Sequence, residues 1–208
     1  MDAKTIVIMN NLNFIKNVDI YLLDQCMKGR IATSSKVLDA GFGKGRNFRF
    51  LLNQGVDVIG IDPNQEYVKL LQNEFPKERS RIIHSSIEAF SSDDEFDFIV
   101  CNAVLHFANN HQHFNEMFAS LIHLLGKEGV LFIRMTSDIG LHSVLENNVD
   151  GVFSIPDGSE RYLISRERID ELLTEHKLEL IEPIKTVNVD MQRCMTTLVL
   201  KKKLADSR

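Results

Sequence analysis

Three glycines at alternate positions, Gly41, Gly43 and Gly45, follow the run Val37-Leu38-Asp39-Ala40 and open a segment of helical character. Glycine accepts positive φ and lets a ligand approach the backbone closely. A helix beginning there points unpaired N–H groups and the positive end of its dipole at whatever the turn holds. The next apolar run ends in Ile61-Asp62-Pro63, about 20 residues on, where a carboxylate can accept hydrogen bonds from a ribose diol. A glycine turn alone is just as well a tight strand-to-helix connection. With the acid in register behind it, turn and acid read together as a nucleoside site.

A second group lies around Cys101-Asn102-Ala103-Val104-Leu105-His106-Phe107, where an apolar run ends. Ligands of open α/β sheets bind at the carboxyl ends of strands. His106 is the candidate base or substrate-orienting group, because imidazole accepts a proton near neutral pH; the bland alternative is a helix-start histidine bonded to backbone. Arg134, at the end of the following apolar run, can meet an anionic substrate or pair with a neighbouring acid. Arg161 and Tyr162 close an irregular stretch and would reach over the pocket as a lid, with plain packing as the alternative for each. His111 and His113 invite a metal, but residues two apart on a helix point to different sides, so no metal site is expected.

These residues need elements to hold them. From Lys36 onward, short apolar β-rich runs alternate with longer stretches of helical period, the pattern of an α/β fold with a mostly parallel sheet. Seven strands are expected, at 36–40, 57–62, 81–85, 96–102, 129–135, 178–188 and 194–201. Phe114, Met117, Phe118, Leu121, Ile122 and Leu125 give a helix over 112–125 with Gly126 as its left-handed stop. Another helix should start after Ser165 as N-cap, and residues 12–27 read as one amphipathic helix. Only about residues 190–193 separate the last two strands, too few for a helical crossover, so that pair must be antiparallel. The stretch 136–162 lacks a clear period and is longer than a connection requires, which is common where loops carry function.

Composition narrows the classes. A chain of 208 residues with 44% hydrophobic and 25% charged content is the size of one ordinary domain. Its 24 basic and 29 acidic residues give a net charge of −5, so the electrostatic footprint of a nucleic-acid binder is missing. Cys26, Cys101 and Cys194 form no CxxC pair, which argues against a disulfide framework or a thiolate zinc site and fits a reducing cytoplasm. No apolar run approaches the ~20 residues that span a bilayer, so no membrane partner is expected.

The glycine spacing is G-x-G-x-G, whereas a dinucleotide-binding fold uses G-x-G-x-x-G. On this motif, the acid that ends the second strand and the antiparallel ending, residues 36–203 resemble a class I S-adenosylmethionine-dependent methyltransferase. Within that superfamily, the Gly43-Lys44-Gly45-Arg46-Asn47 run is most similar to small-molecule methyltransferases of the tellurite-resistance type. The resemblance implies a Rossmann-like three-layer sandwich with seven strands in the order 3-2-1-4-5-7-6, the last antiparallel. It implies a single domain over 1–208, with a helical cap at 1–35, the Rossmann-like core at 36–203 and a substrate lid at 136–162.

It also implies roles. Asp39 would orient the amino group of the methionine moiety, Gly41, Gly43 and Gly45 would form the floor beneath the cofactor, and Asp62 would take the ribose hydroxyls. Ser86, followed by Ile87, stands where the family often has an acid for the adenine amino group. Asn102 and Ala103 would line the methionine side. Phe42 replaces the small residue usual in the loop and would either narrow the pocket or pack under the sheet. The acceptor would be a small molecule, since no separate substrate domain remains, and the protein a monomer or homodimer. The competing readings are a nicotinamide-dependent oxidoreductase on a related fold and a non-catalytic cofactor-binding regulator.

Overall fold

The computed structural model describes residue 15, residues 17–141 and residues 145–203. In chain order the elements are α1 (Ile20–Met27), β1 (Lys36–Ala40), α2 (Arg46–Asn53), β2 (Asp57–Asp62), α3 (Gln65–Glu74), β3 (Ile82–His84), β4 (Phe96–Asn102), α4 (His111–Leu124) and β5 (Leu125–Ser137). Then follow β6 (Glu146–Val149), β7 (Val152–Ser154), β8 (Glu160–Tyr162), α5 (Arg166–Glu175), β9 (Leu178–Leu180), β10 (Lys185–Val189) and β11 (Arg193–Lys202).

The main sheet runs β3-β2-β1-β4-β5-β11-β10, with β9 also paired to β11. Pairs from β3 to β5 are parallel, while β11 is antiparallel to β5, β9 and β10. This is the expected order, with eight strands instead of seven because residues 178–188 form two. Pro183 lies between β9 and β10 and cannot donate to a ladder, so the run breaks there. Among the described residues, no helix is long and apolar enough to cross a membrane.

Strand period divides the core into two layers. Leu38, Ile99 and Cys101 meet Phe114, Phe118 and Leu121 of α4 and Ile169 and Leu172 of α5. Val37, Phe98 and Val100 point the other way, onto Phe48 and Leu51 of α2, Val68 and Leu71 of α3 and Leu22 of α1. A sheet covered on both faces explains why β1 and β4 read as continuous apolar runs. Full burial of each large side chain contributes about 1.5–3 kcal/mol. Register aligns the strand ends: Asp39 lies opposite Gly60 and Val100, and Asn102 opposite Arg134.

Three boundaries differ from the sequence reading. The chain passes from α4 straight into β5 at Leu125, and Gly126 lies within the strand instead of stopping the helix. A Cβ at Gly126 or Gly129 would stand 3.2 or 2.7 Å from the Phe96 carbonyl oxygen, so close backbone approach, not left-handed geometry, calls for glycine there. Next, α1 starts at Ile20 because the Asp19 carboxylate accepts from the Tyr21 and Leu22 N–H groups as N-cap. Residues 12–14 and 16 of the longer expected helix lie outside the described residues. Finally, the aperiodic stretch holds the three-stranded antiparallel sheet β6-β7-β8. Strands of three or four residues are too short to register a period.

Candidate functional site

The glycine turn has the backbone its residue types imply: Gly41, Gly43 and Gly45 have φ of 79°, 56° and 79°. A Cβ at Gly41 would fall 2.4 Å from Val104 Cγ2 and one at Gly45 2.6 Å from Leu71 Cδ1, whereas above Gly43 nothing lies within 4 Å. Two glycines therefore serve packing and the middle one faces open space. Gly45 caps α2 without a side chain. Phe42 packs under the sheet: it is buried, lies 6.1 Å from the Phe48 ring, and uses the room that a side chain at Gly60 would fill.

Asp39 is buried, and its Oδ2 finds no partner among the described residues. Burial pushes its carboxyl up to about 7, an effect opposed by the Arg46 charge, reinforced by Asp62 and opposed again by the Phe48 N–H. The neighbouring strand end presents Asn102, buried, with neither its Oδ1 nor its Nδ2 hydrogen-bonded. Such groups cost free energy unless something satisfies them. Ala103 next to it holds φ of 62°, the left-handed region that a non-glycine residue seldom adopts, and donates its N–H to the Arg134 carbonyl at 2.7 Å. Asp62 accepts the Gly43 N–H at 2.7 Å on one oxygen and the Asn64 N–H at 2.8 Å on the other. Each oxygen keeps a second lone pair. Ser86 Oγ accepts the Ala89 N–H at 3.3 Å, a local turn bond, and Ile87 is buried beside it.

Beyond the ends of β4 and β5 opens a cavity of about 330 Å³ lined by Arg46, Ala103, His106, Arg134, Thr136, Asp157, Arg161, Val189, Arg193 and Met195. His106 sits in a 3₁₀ turn, Leu105–Phe107, 6% exposed, with its Nδ1 unpartnered among the described residues. Burial lowers its pKa to about 4, helped by the charges of Arg161, Arg193 and Arg134 and resisted by Asp157. The imidazole is therefore neutral at pH 7 and a weaker base than a free histidine. Arg134 lies 5.2 Å above the Tyr21 ring and 3.6 Å from Asp19, and Arg161 lies 4.8 Å above the Phe107 ring.

The structure thus brings His106, Ala103, Arg134 and Arg161 together, but not Tyr162. Alternation along β8 turns Tyr162 away from its neighbour Arg161. It stacks on Phe114 at 4.6 Å, its hydroxyl meets His111 Nδ1 at 2.8 Å, and it belongs to the core, so it does not roof the pocket. Sequence reasoning missed Arg46, Asp157 and Arg193. Arg46 directly follows the glycine turn, a position whose signal was present; Asp157 and Arg193 come together only through the β7–β8 connection and the β10–β11 hairpin. Asp19 was missed as well. Its backbone N–H binds Asn47 Oδ1 at 3.1 Å and its carboxylate reaches Arg46 at 3.4 Å, which ties the N-terminal segment to the start of α2.

Residues 37–129 match the family model for a methyltransferase domain. A probable S-adenosyl-L-methionine-dependent methyltransferase, TehB, of Haemophilus influenzae is 35% identical over 82 residues, which is 38% of this chain and 29% of that protein. The match thus spans less than a third of the length of that curated relative. Among solved structures, an S-adenosylmethionine-dependent methyltransferase from Clostridium acetobutylicum superposes with a TM-score of 0.69 at 17% identity, covering 97% of this chain and 99% of the other. The Haemophilus influenzae TehB structure gives 0.63 at 20% identity, over 89% and 63%. The 1,6-didemethyltoxoflavin-N1-methyltransferase of Burkholderia thailandensis, with bound 1,6-didemethyltoxoflavin and S-adenosylhomocysteine, gives 0.65 at 17%, over 86% and 75%. These superpositions establish the Rossmann-like fold.

Proposed function

We propose that this chain is a class I S-adenosylmethionine-dependent methyltransferase that binds S-adenosylmethionine at the glycine turn and moves its methyl group to a small-molecule acceptor seated beside His106 and Arg134. The observation that carries the cofactor half is the pair of buried, unpartnered polar groups at adjacent strand ends, Asp39 Oδ2 and the Asn102 amide. A methionine moiety brings the groups they lack: an ammonium for the carboxylate, and both a donor and an acceptor for the amide. Asp62 keeps lone pairs for ribose hydroxyls, the open side of Gly43 admits a close ligand, and Ser86 and Ile87 would meet the adenine.

The bound cofactor supplies an electrophilic methyl carbon on a sulfonium sulfur. What remains for the protein is positioning. Arg134, Arg161 and Ala103 would orient the acceptor at the end of β4, and the β6–β8 sheet, carrying Arg161, would act as the lid that keeps water out. His106, neutral and buried, would orient the acceptor by a hydrogen bond; as a base it would be weak, because burial and the nearby arginines disfavour the imidazolium. A small acceptor suits the cavity, and the toxoflavin-precursor methyltransferase is a precedent among proteins of similar fold.

The test is turnover. A screen of small acceptors that follows S-adenosylhomocysteine release should find at least one substrate, whereas silence across chemical classes would favour a regulator that merely binds the cofactor. Calorimetry that detects NAD but not S-adenosylhomocysteine would overturn the reading in favour of an oxidoreductase.

A further inference from the structure

Resting on that reading, we propose that the methyl acceptor is a small organic anion, gripped through its carboxylate or phosphate groups by the arginines of the cavity beyond β4 and β5. Four guanidinium groups converge there from four separate elements: Arg46 from α2, Arg134 from β5, Arg161 from β8 and Arg193 from β11. Elements so far apart in sequence have no local reason to aim like charges at one space, and like charges held close repel.

The acids at hand do not balance them. Asp157 is the acid of the lining, and it is engaged by Arg193 at 3.2 Å and by Ser159 at 3.0 Å through its backbone N–H. Asp19 stands behind, one carboxylate shared between Arg46 at 3.4 Å and Arg134 at 3.6 Å. Counting Asp39, whose carboxyl is also within reach of the Arg46 charge, four guanidiniums meet at most three carboxylates, and the cavity keeps a net positive charge. The donors are also incompletely used. Arg134 Nε is buried with no acceptor among the described residues, and so is the Nδ1 of His106, which also lines the cavity.

Chemistry and size narrow the class. The planar guanidinium fork matches carboxylate and phosphate oxygens in pairs, a geometry that neutral or cationic acceptors cannot use. A volume of about 330 Å³ is at the small end of ligand cavities, roughly 300–1,000 Å³, yet far more than a bare ion fills. Val189, Met195 and Ala103 supply apolar wall for a carbon skeleton. His106, kept neutral, adds no charge of its own and is placed to orient the anion or the atom that receives the methyl group.

Binding of stated probes to the full chain saturated with S-adenosylhomocysteine tests this. Calorimetry with succinate, glycerol 3-phosphate, succinamide and putrescine should detect one or both anions and neither of the others, and which anion binds distinguishes carboxylate from phosphate. The double variant Arg161→Gln/Arg193→Gln should weaken the anion roughly tenfold or more, the size of one charge-assisted hydrogen bond. Its affinity for S-adenosylhomocysteine should stay within about twofold, which also verifies folding. Absence of anion binding, equal binding of succinamide or putrescine, or an unchanged anion affinity in the variant would overturn the proposal. Failure of S-adenosylhomocysteine to bind would break the methyltransferase reading instead, and the same probes titrated into the free protein would then decide the anion site by the same outcomes.

Discussion

The two ends of the cleft are opposites. At the glycine turn, on β1, β2 and α2, stand two buried acids, Asp39 and Asp62, held by backbone N–H groups. Beyond β4 and β5, the β6–β8 sheet and the terminal hairpin bring arginines around a neutral histidine. The first end is assembled from residues near one another in sequence; the second is assembled by topology. The contrast fits the proposed reaction, since a cofactor bearing an ammonium and a sulfonium suits the acidic end and an anion suits the basic one. It also shows how a chain of net charge −5 can present a basic pocket.

The acidic end depends on its backbone most severely. Gly45→Ala should cost about 2–4 kcal/mol of stability, because φ of 79° strains any L side chain and the new Cβ would stand 2.6 Å from Leu71. Chemical denaturation measures it, and a loss below ~0.5 kcal/mol would mean the turn tolerates a side chain.

The two ends should also respond to pH with opposite signs. The Asp39 carboxyl is raised from 3.8 to about 7, so the folded protein holds that proton more tightly than the unfolded chain. Stability is then lost as pH rises from about 4 to 7, by at most about 4 kcal/mol. Asp39→Asn should remove that loss, leaving the variant more stable than wild type at pH 8 by on the order of 1 kcal/mol or more, yet poorer at binding S-adenosylhomocysteine. His106 behaves in the reverse sense. Its pKa is lowered from 6.5 to about 4, so the unfolded chain takes up the proton first and stability is lost as pH falls through that window. His106→Gln should flatten the acid limb of a stability–pH curve by roughly 1–3 kcal/mol. An acid limb identical to wild type would place His106 elsewhere. If activity in that variant persisted at every pH, His106 would be removed as a base while keeping its place in the pocket.

The same division governs what the sequence could reveal. Lys36–Ala40, Asp57–Asp62 and Phe96–Asn102 were readable to the residue, because strands buried on both faces are apolar throughout and end at polar or glycine-rich turns. Gly41, Gly43, Gly45 and Asp62 were singled out by spacing on a single strand–turn–helix–strand unit, whereas Asp39 came in only with the family resemblance. The hairpin of β10 and β11 was legible from its short turn, where Asp190 and Met191 take positive φ. What escaped depends on distant pairing. The strands β6 to β8 are too short to show a period, a one-residue alternation keeps Arg161 at the cavity while turning Tyr162 into the core, and Arg193 reaches Asp157 across 36 residues of chain. No local pattern encodes that four arginines share one space.

The most direct measurement is the affinity of S-adenosylhomocysteine for wild type and for Asp62→Ala by calorimetry. Asp62 holds the turn through the Gly43 N–H and would face the ribose, so its loss should weaken binding by about 1.5–3 kcal/mol, roughly ten- to a hundredfold. Equal affinities in the two proteins, or tighter binding of NAD than of S-adenosylhomocysteine by wild type, would contradict a methyl-donor site at the acidic end of the cleft.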